Sequence, residues 1–180
     1  MSSSASVEHR VRLFVALRLP EPVVAALAAW QEQELRERIV PPGNLHVTLA
    51  FLGSRPEREL PAIVDELRAA AGAVHRPVLS VTGYRETRSV GMLELADEDG
   101  RATALADDVR KRLERLGVYR REQRPWLPHL TVVRFRRRPR LRPELPELEP
   151  FSPSEAAAYL SRLHPSGARY EVLESVPLGG

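Results

Sequence analysis

The spacing of apolar and polar positions changes along this chain, and each change marks an element. Arg12-Leu13-Phe14-Val15-Ala16-Leu17 is a nearly unbroken apolar run that stops before Pro20, which predicts a strand buried on both faces or nearly so. A helix follows: Pro22 suits its first turn, and Val23, Leu27 and Trp30 recur at helical spacing before a charged end from Glu32 to Arg38. Pro41-Pro42-Gly43-Asn44 is a loop that delivers the chain into a second strand, running to about Gly53.

Ser54-x-x-Glu57 has the form of a capping box, and Leu60, Ile63, Val64 and Leu67 give the next helix one apolar stripe. Pro77 to Gly83 and Ser89 to Leu95 read as strands joined by a polar turn at 85–88. Beyond the turn Asp97-Glu98-Asp99-Gly100, a third helix buries Ala102, Leu105, Ala106, Val109, Leu113 and Leu116 and ends at Gly117. A strand then holds Pro128-His129-Leu130-Thr131-Val132. Residues 136–150 follow, with five arginines, three glutamates and four prolines, an irregular surface segment. Strands at Glu155–Leu163 and Arg169–Val176 close the chain around the turn His164-Pro165-Ser166-Gly167. This order of elements predicts an α+β fold.

At 180 residues the chain has enough length for one well-buried core and is short for two ordinary domains. It is expected to be a single two-lobed domain over residues 10–180 behind a disordered tail at 1–9, with His9 in that tail. No cysteine occurs, which excludes disulfides, thiolate metal sites and cysteine nucleophiles. No apolar run approaches the roughly 18 residues of a membrane span, and Met-Ser-Ser-Ser-Ala-Ser lacks the basic flank and apolar stretch of a signal peptide. A soluble cytoplasmic protein is expected. Formal charge is +3, and Lys111 is the only lysine. Such lopsided arginine usage also follows from a GC-rich coding genome, so local clustering says more about partners than net charge.

One short pattern occurs twice. Leu45-His46-Val47-Thr48-Leu49 and Pro128-His129-Leu130-Thr131-Val132 are both His-x-Thr-x segments with apolar x positions, their histidines 83 residues apart. On an extended strand side chains alternate, so each His and Thr share one face while the apolar neighbours take the other. The spacing suggests a duplicated unit whose halves face each other. Two imidazoles on one cleft can divide acid and base roles, and a threonine hydroxyl beside each can donate to a phosphate oxygen as charge builds. The set suits attack on a phosphodiester without a cofactor. A single copy would be commonplace, and histidines also bind zinc. A mononuclear zinc site needs a third ligand, however, and no Asp, Glu or His sits at a telling spacing beside either motif.

With these residues in view, the chain resembles the two-histidine (2H) phosphoesterase superfamily, most closely the RNA 2′,3′-cyclic phosphodiesterases formerly described as 2′-5′ RNA ligases. The likeness rests on Arg12 to Leu17 with Pro20, Asn44 to Gly53, Arg124 to Val132 with Arg134, and Ser161 through Tyr170 to Pro177. It implies a bilobal fold with pseudo-twofold symmetry, each lobe carrying one motif on a central strand of an antiparallel sheet, a cleft between the sheets and helices outside. By the same resemblance His46 is the general acid that protonates the leaving 3′ oxygen, His129 the general base that activates water, and Thr48 and Thr131 hold phosphate oxygens. The implied reaction is metal-independent and yields a 2′-phosphomonoester. The implied partner is RNA with a 2′,3′-cyclic phosphate end, tRNA-derived or otherwise, or a small cyclic nucleotide, acted on by a monomer.

Arg134 matches a basic residue that follows the second motif in close relatives, yet strict alternation turns it away from His129 unless a bulge or the strand's end swings it back. Trp126 is a candidate platform for base stacking, whereas Phe51 shares parity with Val47 and Leu49 and is expected in the core. The segment Arg134, Arg136, Arg137, Arg138, Arg140 and Arg142 either guides an RNA backbone or is a solvated loop balanced by Glu144, Glu147 and Glu149. Two other functions stay open: RNA ligation by the reverse reaction, and non-catalytic RNA binding.

Overall fold

A computed structural model of the chain describes residues 8–36 and 38–180. The tail expected at 1–9 falls, for residues 1–7, outside the described residues; His9 is held, its carbonyl accepting the Glu57 N–H at 2.9 Å. The elements are β1 (Arg10–Arg18), α1 (Glu21–Glu34), β2 (Arg38–Ile39), β3 (His46–Pro56), α2 (Leu60–Gly72), β4 (Leu79–Glu86), β5 (Val90–Asp97), α3 (Arg101–Arg115), β6 (His129–Arg134), β7 (Glu155–His164) and β8 (Gly167–Pro177).

Two four-stranded antiparallel sheets result, in the orders β3-β1-β7-β8 and β2-β6-β5-β4. The α+β expectation is met. Each motif strand lies beside an antiparallel partner to which a helix connects it: β1-α1-β3 in one sheet, β5-α3-β6 in the other. The two units are not consecutive halves, because β2 leaves the first to join β6, while β7 and β8 return from the C-terminal end to cover β1. One core runs through both sheets, with Leu49, Leu67, Leu93, Leu113 and Leu130 at 0 % exposure.

Four expectations need correction, the simplest being Leu116, which follows the end of α3 and is exposed instead of buried. The motif strands are not both central: β6 lies between β2 and β5, but β3 is a sheet edge. Ser54 and Glu57 form no capping box, since β3 continues through Ser54 to Pro56 and a single 3-10 turn over Glu57–Glu59 precedes α2. The first helix stops at Glu34, partway through the charged end expected to run from Glu32 to Arg38, which leaves Arg38 and Ile39 to pair with Arg134 and Val133.

Candidate active site

The two motif strands repeat more than three residues. In β3 the segment His46–Phe51 and in β6 the segment His129–Arg134 have the same order of burial: half-buried, buried, half-buried, buried, buried, exposed. Alternation accounts for the first four positions, and a β-bulge accounts for the rest. Against β1, Val15 faces Ala50 and Ala16 faces Thr48, so Leu49 has no partner of its own. Against β5, Gly91 faces Val133 and Met92 faces Thr131, so Val132 has none. Each extra residue shifts the phase by one, so Leu49 and Ala50 are both buried and the fifth residue after the histidine turns to the cleft.

That fifth residue is Phe51 in one strand and Arg134 in the other. The bulge foreseen for Arg134 therefore exists, and the same device overturns the expectation for Phe51. Its ring is 47 % exposed and lines the cleft. The Arg12 guanidinium lies 4.9 Å from its centroid, within cation–π range. Trp126 goes the other way: it is buried, and its indole N–H donates to the Thr48 carbonyl at 2.9 Å. Its role here is to hold β3, not to present a face to a base.

The bulges are held from crossed directions. In α3, Arg110 donates from Nε to the Leu49 carbonyl at 2.9 Å; in α1, buried Gln31 donates from Nε2 to the carbonyls of Val132 at 2.7 Å and Val40 at 3.0 Å. Helix α3 belongs to the β6 unit and α1 to the β3 unit. Each unit thus braces the other's motif strand. Trp126 and Arg110 thus both donate to backbone carbonyls of β3, a strand at the edge of its sheet.

Both imidazoles are oriented alike. His46 Nδ1 lies 2.7 Å from the Asn44 carbonyl and His129 Nδ1 lies 3.0 Å from the Leu127 carbonyl, in each case two residues back. A carbonyl only accepts, so Nδ1 carries the hydrogen and Nε2 is the working nitrogen of both rings. Beyond this the surroundings part. His46 Nε2 accepts from the Thr48 hydroxyl at 2.9 Å, and its ring packs against Phe14, Tyr170 and Tyr159 with centroids at 4.7, 5.4 and 5.8 Å. Asn44 fastens this nest to β8, donating to the Ala168 carbonyl at 2.9 Å and accepting from the Tyr170 N–H at 3.3 Å. Burial, followed by the charges of His129 and Arg134, pushes the His46 pKa down to about 4, while the bond to Asn44 works against this. His46 is therefore neutral at pH 7.

The cleft has a volume of about 560 Å³ and is lined by His46, Thr48, Phe51, Thr131 and Arg134, together with Arg12, Phe14, Arg38, Asn44, Ser161 and Tyr170. His129 is not among its lining residues, although its charge reaches His46. Arg134 Nη2 lies 3.4 Å from the Tyr170 hydroxyl. Among the described residues no three His, Asp or Glu side chains form a group able to hold a metal ion. Sequence reasoning missed Arg12, Arg38, Phe14 and Tyr170 as lining residues; they come from strands that only the tertiary fold brings to the motifs.

Two antiparallel sheets that bring paired His-x-Thr strands to one basic cleft define a site of the two-histidine phosphoesterase kind. The chain belongs to the 2′-5′ RNA ligase superfamily, whose family model matches residues 19–164. A curated relative from Thermus thermophilus, named RNA 2′,3′-cyclic phosphodiesterase, is 36 % identical over an alignment covering 94 % of this chain and 91 % of its own. A protein of that name from Methanocaldococcus jannaschii is 24 % identical, with 91 % and 99 % covered. Among solved structures, one from Thermus thermophilus superposes with a TM-score of 0.78 at 34 % identity, covering 94 % of this chain and 98 % of that one. Escherichia coli LigT, crystallised with 3′-AMP, shares the fold with a TM-score of 0.78 at 23 % identity, with 96 % and 100 % covered.

Proposed function

We propose that this chain hydrolyses RNA 2′,3′-cyclic phosphate ends to 2′-phosphomonoesters, with His46 and His129 as an acid–base pair and no metal. The observation that carries the proposal is the repeated strand: two histidines in one tautomeric orientation, each with a threonine, served by a cleft whose charged lining residues are arginines. Membership of the superfamily and the name borne by its relatives point the same way.

Water attacks phosphorus while His129 Nε2 takes its proton; the bond from phosphorus to the 3′ oxygen breaks and His46 Nε2 supplies the proton that oxygen needs. The pair exchanges protonation states and is restored by solvent. The lowered pKa of His46 sets a condition. It becomes an acid only when an anionic phosphate beside it stabilises the imidazolium. Thr48 then changes partner, from Nε2 to a phosphate oxygen, opposite Thr131 and Arg134. Phe51, backed by Arg12, stacks the terminal base. The substrate is a tRNA half, another RNA end or a small cyclic nucleotide, and the enzyme works as a cytoplasmic monomer.

The test is incubation with RNA ending in a 2′,3′-cyclic phosphate, with EDTA present and a 5′-hydroxyl strand offered as an alternative to water. The expected product is the 2′-phosphomonoester, with the longer joined strand a minor species. A 3′-phosphate product would reverse the substrate's orientation, and no turnover would refute the proposal.

A further inference from the structure

Residues 136–142 were open to two readings, and their geometry distinguishes them. The irregular segment is fixed. Glu86, at the end of β4 and 8 % exposed, accepts the backbone N–H groups of Leu141 at 2.7 Å and Arg140 at 2.9 Å and pairs with the Arg138 guanidinium at 3.3 Å. Arg140 holds the left-handed conformation at φ 59° that this looping back to Glu86 requires. Upstream, Phe135 is buried and its N–H donates to the Ser89 carbonyl at 2.9 Å. Downstream, the Glu144 carbonyl accepts from the Trp30 indole at 2.7 Å.

A buried carboxylate and an anchor at each end therefore hold a loop whose outward side chains are cations. Arg136, Arg137, Arg140 and Arg142 are exposed, and their guanidinium groups make no ion pair or hydrogen bond among the described residues. Glu144, Glu147 and Glu149, which offset them in the sequence, form no ion pair with them. A loop that serves only to be solvated has no need of such fixing. The segment also begins at the cleft: Arg134 lines it, pairs across the strands with Arg38, which lines it too, and Arg136 is two residues on. In the groove that shares Arg12 with the cleft, two of the arginines are paired, Arg10 with Glu8 and Arg162 with Glu171, while Arg12 lies over Phe51.

We infer that Arg136, Arg137, Arg140 and Arg142 form a fixed phosphate-binding surface for the RNA strand leading to the terminal nucleotide, so that a polynucleotide is preferred over a cyclic mononucleotide. The inference rests on the proposed function for its substrate and deepens it. Contacts to backbone phosphate confer affinity and salt dependence without base preference.

The experiment compares the wild type with the quadruple variant R136Q/R137Q/R140Q/R142Q on three ligands: a 2′,3′-cyclic mononucleotide, a ten-nucleotide RNA ending in a 2′,3′-cyclic phosphate, and the same RNA ending in a 3′-hydroxyl. The expected result is a KM at least tenfold higher for the cyclic-ended RNA, with the mononucleotide unchanged. The plot of log affinity against log salt should flatten by about 3 for the hydroxyl-ended RNA, roughly 0.7 per lost contact. Equal behaviour of wild type and variant on both RNAs would overturn the inference, as would equal loss on RNA and mononucleotide. Binding of wild type to phosphatidylserine vesicles as tight as to RNA would overturn the choice of RNA. If the wild type opens neither cyclic substrate, the catalytic proposal fails alone, because binding of the hydroxyl-ended RNA still reads the surface.

Discussion

Strands β3 and β6 have one backbone design and two environments. Both place a histidine on the carbonyl two residues back, a threonine two residues on, a bulge at the third position and a cleft-facing side chain at the fifth. Yet His46 lies in a nest of Phe14, Tyr159 and Tyr170, with Thr48 on its second nitrogen, while among the described residues His129 has only the Leu127 carbonyl as a hydrogen-bond partner. The fifth positions differ in kind as well, an aromatic ring against a guanidinium. Duplication supplies two similar imidazoles; their surroundings are unequal, and burial in the aromatic nest lowers the pKa of His46.

The largest effect should come from breaking the pair. His46→Ala and His129→Ala should each lower single-turnover rates by about 10²- to 10⁴-fold, and the double variant by much less than the product, because the two act as a unit. Next, Arg134→Gln, Thr48→Val and Thr131→Val should each lower kcat/KM by roughly 10²-fold if they hold developing phosphate charge. The His46 environment also predicts a pH dependence of stability. With its pKa lowered from 6.5 to about 4, the unfolded chain binds the proton more readily; stability is therefore complete above pH 6.5 and is lost as pH falls towards 4. The loss, at most about 3 kcal/mol by linkage, should disappear from urea titrations of His46→Asn. The smallest effects separate Phe51 from Trp126. Phe51→Ala should lower kcat/KM by roughly 5- to 150-fold, the 1–3 kcal/mol of a stacked base, and blunt discrimination among terminal bases. Trp126→Phe should instead leave the Thr48 carbonyl without its indole donor, costing about 1–3 kcal/mol of stability with base discrimination intact.

Much of this comparison was legible in the sequence. His46, Thr48, His129 and Thr131 follow from a repeated pattern on apolar strands, because alternation alone fixes their shared face for three residues. Alternation then failed at the fifth position, where bulges at Leu49 and Val132 brought Phe51 and Arg134 to the cleft. No local signal marks these bulges; what holds them, Arg110 and Gln31, comes from helices far along the chain. Tertiary pairing also decided the edge position of β3, the short strand at Arg38 and the burial of Trp126, whose hydrogen bond crosses 78 residues. The irregular character of 136–150 could be read from its prolines and charges, but not its fixing by Glu86.

The measurement that most directly tests the paired-histidine site is the pH dependence of kcat/KM for a 2′,3′-cyclic end in the wild type, His46→Ala and His129→Ala. An acid must hold its proton, so activity falls as pH rises; a base must be free of one, so activity falls as pH drops. These signs hold whichever group has the lower pKa. The wild type should give a bell, His46→Ala should lose the alkaline fall, and His129→Ala should lose the acidic fall. A bell retained in either variant would contradict the assignment of these two histidines as the acid–base pair.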